Sequence, residues 1–225
     1  ALYERIRAEE ITTQASVRIA RPVVASNSAP PQTLHNLPRT LTSMIDRVDD
    51  VSHVKEKLLN PAYPLISLTG DGGIGKTRLA LALAEQVLER FADGVWFIPL
   101  ANLAPITNLV EQLANAIGTA LKLNFTGTTS PHTQLLQHLH NKTLLLILDN
   151  FEQLTSGAEF ILDLLQATRT VKILVTSRQR LNLYGEYVYR LKGLPVPHPE
   201  IATGLEPQDL LAYPAIQLFV ERAER

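Results

Sequence analysis

Several features are missing from this 225-residue chain, and each absence excludes a class of site. There is no cysteine, which excludes disulfides, thiolate zinc sites and cysteine nucleophiles. The longest uninterrupted aliphatic run, residues 144–148, is far shorter than the roughly 18 residues that a membrane helix needs, so no membrane partner is expected. Neither sign of charge dominates, with 21 Lys+Arg against 22 Asp+Glu, which argues against nucleic-acid binding through net charge.

The hydrophobic content, by contrast, is sufficient for a packed core. Hydrophobic residues make up 45% of the chain and charged residues 19%, which is not the composition of a disordered protein. No apolar signal region opens the chain, so we expect a cytoplasmic protein. The first residue is Ala1 and the only methionine is Met44, so we expect a piece excised from a longer protein, some of whose functions lie outside it.

The composition divides the chain into four parts. Residues 1–11 have helical spacing, and residues 12–40 contain four prolines among small polar residues without a hydrophobic period. Such a segment is typical of a linker; an ordered arm lying on a neighbouring domain is the alternative. Residues 41–204 are strongly periodic and are predicted to form one domain. Residues 205–225 are predicted to form a helix that leads into a further helical domain.

Short apolar runs alternate with helical periods in the periodic part. Strands are predicted at residues 65–69, 95–99, 144–148, 171–176 and 187–191. Helices are predicted between them: one with Val48, Val51, Val54, Leu58 and Leu59 on one face, one at 76–90, one starting at Pro105, one capped by Ser130-Pro131 and one at 158–168. This alternation predicts an α/β fold, with a five-stranded, mostly parallel sheet between helices.

One segment matches the phosphate-binding pattern G-x-x-x-x-G-K-[ST] in full, between a predicted strand and a predicted helix. It consists of Gly70, Asp71, Gly72, Gly73, Ile74, Gly75, Lys76 and Thr77. Glycines let backbone N–H groups surround a phosphate, the lysine binds the β/γ-phosphates and the Thr hydroxyl binds Mg²⁺. The start of the following helix adds positive potential. The segment predicts a P-loop that binds a nucleoside triphosphate and Mg²⁺.

Polar residues at two strand ends are the further catalytic candidates. Asp149 ends an aliphatic strand and is predicted to be the second Mg²⁺ residue, of the Walker B type. Glu152 either approaches the same cleft or is a solvated glutamate at a helix start. Arg178 either contacts the γ-phosphate from the carboxyl edge of the sheet or is an ordinary solvated arginine. Asn150 can hydrogen-bond a water but cannot accept its proton, so slow hydrolysis is expected.

The sequence favours adenine over guanine. GTPases usually carry Asn-Lys-x-Asp after a later strand, whereas the only Asn-Lys here, Asn141-Lys142, precedes the Walker B strand and lacks the aspartate. Three histidines, His132, His138 and His140, are predicted to lie on a solvated helix surface rather than to bind a metal.

Together these motifs resemble the STAND class of signalling ATPases in its NB-ARC/AP-ATPase branch, as found in bacterial SARP-type transcriptional regulators. The similarity extends from about residue 36 to the last residue, and is carried by residues 36–38, 41–47, 70–80, 149–152, 174–178, 191–195 and 215–219. Residues 1–7 resemble the last helix of a bacterial transcriptional activator domain. The resemblance implies a weak ATPase that acts as an ATP/ADP switch. It further implies DNA contacts only through domains outside this chain, and nucleotide-dependent self-association of the full-length protein.

The resemblance also implies where adenine binds. In the family, the segment equivalent to residues 41–47 holds adenine, so Met44, Ile45 and Arg47 are candidates, together with Arg78 directly after the P-loop. The family's Gly-Arg-Glu is Asp46-Arg47-Val48 here, so only the arginine is retained. Two alternative functions use the same P-loop: a metabolic phosphotransferase, and an AAA+ type DNA-remodelling ATPase that assembles as a hexamer.

Overall fold

The computed structural model describes residues 34–39, 44–103, 108–154, 157–198, 204 and 206–224. These residues belong to one compact unit that runs from Thr33 to Arg225. The helix predicted at residues 1–11 and the greater part of the predicted linker lie outside the described residues. Within the described ranges, none of the helices is both long enough and apolar enough to cross a membrane.

Helices and strands alternate as the hydrophobic pattern predicts. In chain order the elements are α1 Val48–Leu59, β1 Leu65–Thr69, α2 Lys76–Val87, β2 Val95–Pro99, α3 Leu109–Ala120, α4 Pro131–Leu139, β3 Leu145–Asp149, α5 Ala158–Ala167, β4 Lys172–Ser177, β5 Glu186–Arg190, α6 Pro207–Leu210 and α7 Pro214–Ala223. Short 3₁₀ turns at Leu88–Arg90 and Phe151–Gln153 follow α2 and β3.

The five strands form one sheet in the order β2-β3-β4-β1-β5, and every pairing is parallel. The predicted α/β fold is confirmed. Each strand begins and ends within one residue of its predicted position. β4 lies between β3 and β1, so the segments that follow these three strands meet at one edge of the sheet.

The sheet is covered on both faces, which explains why its central strands are mostly apolar. On one face, residues such as Leu146 and Ile173 pack against α3, α4 and α5. On the other, residues such as Ile66 and Leu174 pack against α1 and α2. All five residues of β1 are buried.

Two helices differ from their predictions at the start. Val48 was predicted on the buried face of α1 but is 76% exposed, because it is the first residue of the helix and extends past the core that buries Val51, Val54 and Leu58. The helix predicted to start at Pro105 begins instead at Leu109. Asn108 has a left-handed backbone, with φ of 71°, and therefore cannot continue a right-handed helix. Pro105 itself lies outside the described residues.

Residues 34–39 lie along the edge of β2. The amide of Val95 donates to the carbonyl oxygen of Leu34 at 3.0 Å. The Asn36 side chain forms two hydrogen bonds with the Phe97 backbone, to its oxygen at 2.8 Å and from its nitrogen at 2.6 Å. These six residues belong to the segment predicted as a linker, and these hydrogen bonds attach Leu34 and Asn36 to β2.

Candidate functional site

The loop between β1 and α2 has a backbone that requires glycine. Gly70, Gly73 and Gly75 have φ values of 148°, 77° and 104°, which side-chain-bearing residues rarely adopt. A Cβ on Gly70 would also lie 2.9 Å from the carbonyl oxygen of Leu191. The glycines of the sequence motif therefore meet a steric need of this turn.

Lys76 is the first residue of α2 and folds back over the loop. Its Nζ donates to the carbonyl oxygens of Gly70 at 2.8 Å and Asp71 at 2.9 Å. The ammonium group thus lies on the loop itself, beside the first N–H groups of α2. The charge of Lys76 and the N-terminus of α2 thus lie together, as an anion site requires.

The two residues predicted to bind the metal touch each other. The Thr77 hydroxyl donates to Asp149 Oδ1 at 2.7 Å. A second hydroxyl, Thr176 Oγ1, donates to the same oxygen at 2.6 Å and accepts the Asn150 N–H at 2.9 Å. Because β4 lies between β3 and β1, Thr176 near the end of β4 lies between Asp149, which ends β3, and the P-loop, which follows β1. Thr176 was not among the sequence candidates; its only signal was a hydroxyl near the end of a strand preceding Arg178.

Asn150 turns the chain away from the sheet. Its φ is 66°, a left-handed conformation that asparagine tolerates better than most residues. The next residue, Phe151, is fully buried and anchors the 3₁₀ turn that carries Glu152. This turn directs Glu152 back toward the carboxyl edge of the sheet.

Glu152 and Arg178 form an ion pair, with 3.1 Å between Arg178 Nε and Glu152 Oε1. The Glu152 side chain is only 15% exposed, and its Oε2 is buried without a hydrogen-bond partner, so it is not a solvated surface residue. Arg178 is 66% exposed and lies beside the P-loop: a Cβ on Gly72 would be 3.6 Å from its Nη2. The structure therefore brings Glu152, Arg178 and the loop together.

A cavity of about 180 Å³ opens beside the loop. Of the predicted cofactor residues, it is lined by Met44, Ile45, Arg47, Gly73, Ile74, Gly75 and Arg78. Three further lining residues, Leu194, Leu218 and Arg222, were not among the candidates. Leu194 and Leu218 belong to the segments 191–195 and 215–219, but no individual role could be read from the sequence.

Arg47 holds the walls of this cavity together. Its guanidinium donates to Asp50 Oδ2 at 2.9 Å and to the carbonyl oxygen of Lys192 at 2.8 Å. Asp50 in turn accepts a hydrogen bond from the Tyr189 hydroxyl. Burial, and then this hydrogen bond, raise the pKa of Tyr189 to about 12. Arg47 therefore connects the start of α1 to β5 and the segment after it.

Of the three histidines predicted to lie on a solvated surface, His138 and His140 are exposed as expected, whereas His132 is half-buried. The ring of His132 packs on Phe160 with centroids 5.3 Å apart, and His140 Nδ1 is 2.8 Å from the carbonyl oxygen of Ala167. Burial lowers the pKa of His138. His132 is the exception because its ring faces α5, the helix that carries Phe160. No cluster of metal-ligating residues is found in the part of the chain that the structure describes.

A family model described as an AAA domain matches residues 62–183. The chain belongs to this AAA domain family. The matched residues include the whole P-loop, Asp149 and Arg178, so the segments that meet at the edge of the sheet are those of a P-loop ATPase domain.

Three curated relatives are each 30% identical to this chain over the residues they share. An uncharacterized protein of Mycobacterium tuberculosis is 30% identical over 192 residues, which are 85% of this chain and 44% of that protein. A protein of the same species provisionally named an HTH-type transcriptional regulator is 30% identical over 162 residues, 72% of this chain and 16% of that protein. The regulatory protein AfsR of Streptomyces griseus is 30% identical over 178 residues, with coverage of 75% and 18%. The chain spans less than half the length of these relatives.

A solved structure confirms the fold independently. Cdc6p of Pyrobaculum aerophilum superposes with a TM-score of 0.52 at 18% identity, over 74% of this chain and 48% of that one. Identity this low shows a shared fold and nothing about activity.

Proposed function

We propose that this chain is an adenine-nucleotide switch with weak ATPase activity, and that it is one module of a multidomain, signal-responsive transcriptional regulator in the cytoplasm. The observation that carries the proposal is the direct contact between Thr77, at the end of the P-loop, and Asp149, at the end of β3. One relative named as an HTH-type transcriptional regulator and another named as a regulatory protein support the wider role. The proposal also includes DNA contacts through other domains and nucleotide-dependent self-association of the full-length protein.

The donor set fits a magnesium nucleotide. Thr77 and Asp149 offer a hydroxyl and a carboxylate, the hard oxygen ligands that Mg²⁺ prefers. A Cβ at Gly73 or Gly75 would meet no heavy atom within 4 Å, so the loop leaves open space at its phosphate-facing positions. Mg²⁺ would supply charge neutralisation between the phosphates. Lys76 would exchange its two carbonyl acceptors for phosphate oxygens.

The cavity beside the loop suits the rest of the nucleotide. Its apolar wall contains Met44, Ile45, Ile74, Leu194 and Leu218, and a base can be held between such side chains. Arg47 keeps this wall in place through its hydrogen bonds to Asp50 and the Lys192 carbonyl. In the proposed complex the base contacts segments that are distant in sequence. The affinity for ATP and ADP therefore depends on how these segments are positioned relative to one another.

Slow hydrolysis follows from the residues around the γ-phosphate position. Asn150 stands where a second acid would follow Asp149, and it cannot accept a proton. Glu152 is the nearby carboxylate, but its Oε1 is paired with Arg178. We propose that Arg178 contacts the γ-phosphate and that Glu152 orients the attacking water only after this pair opens. Such gating suits a switch better than a rapid enzyme.

Calorimetry with Mg²⁺ and ATP, ADP or GTP tests the proposal. Wild type should bind both adenine nucleotides and prefer them to GTP. Lys76→Ala should weaken ATP binding about ten- to a hundredfold, because it removes a charge-assisted contact worth about 1.5–3 kcal/mol. Lys55→Ala is the control, because it also removes a lysine, one on α1 that contacts Gln86 on α2.

Two results would contradict the proposal: unchanged ATP affinity in Lys76→Ala, or a preference for GTP. Release of ADP that depends on an added small acceptor would support a phosphotransferase instead. Hexamers formed with ATP and stimulated by DNA would support a remodelling ATPase.

A further inference from the structure

A second cavity, of about 230 Å³, lies at the other end of the sheet. It is formed where α1 ends, where the 3₁₀ turn after α2 ends and where β4 begins. Lys172 is the first residue of β4, whereas Ser177, next to Arg178, is the last. A strand of this length spans about 17 Å at roughly 3.3 Å per residue, so this cavity is separate from the nucleotide site.

The cavity combines an apolar wall with a cationic rim. Leu58, Phe91 and Val171 supply buried apolar surface. The charged residues that line it are Arg90, Arg169 and Lys172, and no carboxylate is among the lining residues. The carboxylate of Asp93 lies next to Thr143, one of the lining residues. It already accepts hydrogen bonds from the Thr143 N–H at 2.7 Å and from Lys142 at 2.8 Å.

Lys172 is held in place without an anionic partner. Its Nζ donates to the carbonyl oxygens of Asn60 at 2.6 Å and Tyr63 at 2.9 Å, which leaves one of its three donors without an acceptor among the described residues. Burial lowers the pKa of this lysine, the expected result when an ammonium group is desolvated without a counter-ion. Among the same residues, the side chains of Arg90 and Arg169 form neither a hydrogen bond nor an ion pair, and both are exposed.

We propose that this cavity binds a small organic monoanion, a carboxylate carried on a compact aromatic or aliphatic body. The carboxylate would lie among Lys172, Arg169 and Arg90, and the apolar body would pack on Leu58 and Phe91. Arginine and carboxylate are well matched for paired hydrogen bonds. The volume, about 230 Å³, is below the roughly 300–1,000 Å³ of sites for drug-sized ligands, which favours a compact ligand.

Ligand-observed NMR on the 225-residue chain tests this with phenylacetate as the probe. Its uncharged analogue phenylacetamide tests the need for charge, and inorganic phosphate tests the need for an apolar body. Phenylacetate should bind saturably, in the presence of saturating Mg²⁺-ADP as in its absence, and each of the other two should bind at least about tenfold more weakly.

The matched variants locate the site. The double variant Arg90→Gln/Arg169→Gln should weaken phenylacetate about tenfold or more, and because both side chains are exposed its thermal unfolding should match wild type. Arg190→Gln, which changes an exposed arginine on β5, should leave binding unchanged. Equal binding of phenylacetamide, equal binding of phosphate, displacement by ADP, or full affinity in the double variant would each overturn the proposal.

Discussion

At the scale of single residues, the site depends on hydroxyl and carboxyl groups that three different strands bring into contact. Asp149 Oδ1 accepts from both Thr77 and Thr176, at 2.7 and 2.6 Å. Two donors on one oxygen restrict the orientation of the carboxylate. Thr176 is therefore a positioning residue in the proposed magnesium site.

The variant Thr176→Val tests that role because it keeps the side-chain shape and removes the hydroxyl. It leaves the Asn150 N–H without its acceptor, so we expect a loss of stability of about 1–3 kcal/mol and weaker Mg²⁺-dependent ATP binding. Urea unfolding and calorimetry measure the two effects. Thr119→Val, at an exposed threonine that bonds only within its own helix, should change neither. If ATP binding by Thr176→Val depended on Mg²⁺ as it does in wild type, Thr176 would have no positioning role.

Asn150 and Glu152 determine the expected rate of hydrolysis. Wild-type turnover should be slow, and Asn150→Asp should raise it, because general-base help is typically worth about 10²–10⁴-fold. Glu152→Gln should lower what turnover remains. Asn141→Asp introduces the same charge at an exposed position and should have no effect. In steady-state ATPase assays, rapid wild-type turnover that Glu152→Gln leaves unaffected would place the base elsewhere.

At the scale of elements, local sequence signals decided where several helices begin. Ser130 Oγ accepts the Thr133 N–H at 3.2 Å and Pro131 is the first residue of α4, as the Ser-Pro pair predicts. The start of α3 was not predictable in this way. Asn108, directly before α3, adopts a left-handed backbone, and α3 also packs on α4. Capping is a local interaction, whereas packing is not.

Removal of the α4 cap should lower stability by a defined amount. Ser130→Ala is expected to cost about 1 kcal/mol, in the range of roughly 0.5–2 kcal/mol found for such caps. Ser52→Ala makes the same change inside α1 at an exposed position, where alanine is the better helix former, and should not destabilise. Urea denaturation compares the three proteins. Equal loss in both variants would mean that the effect is not due to capping.

At the scale of the whole molecule, one surface ion pair affects stability in acid. Lys142 donates to Asp93, and this hydrogen bond, followed by that from the Thr143 N–H, lowers the pKa of Asp93 below its ordinary value of 3.8. The folded state therefore holds the ionised carboxylate more strongly than the unfolded state does. This stabilisation is complete above the ordinary pKa and is lost as the pH falls through the lower, folded value.

The variant Lys142→Met should therefore raise the pKa of Asp93. It should also reduce the difference between the free energies of unfolding at neutral and at acidic pH. NMR titration of the Asp93 carboxyl group measures the first effect, and urea unfolding at neutral and acidic pH measures the second. Lys55→Met, on α1, is the control. An unchanged Asp93 titration in Lys142→Met would show that the Thr143 N–H alone sets this pKa.

Much of this architecture could be predicted because its determinants are local. Strands of a sheet covered by helices are mostly apolar, so 65–69 and 95–99 were predicted at their observed bounds. The motif at 70–77 reflects a turn whose left-handed positions only glycine occupies easily. The half-buried position of His132 and the contact of residues 34–36 with β2 were not predictable from composition, because each depends on a neighbouring element.

The sequence by itself determined the strands, the α/β class and the P-loop, since hydrophobic period and glycine conformation act over a few residues. Only the tertiary structure decided the strand order, which places Thr176 between Asp149 and the P-loop. It also decided that Leu194, Leu218 and Arg222 share a cavity with Met44, and that Arg90, Arg169 and Lys172 surround another. These groups are far apart in the chain, and their distances depend on crossover connections and helix packing, which no local pattern encodes.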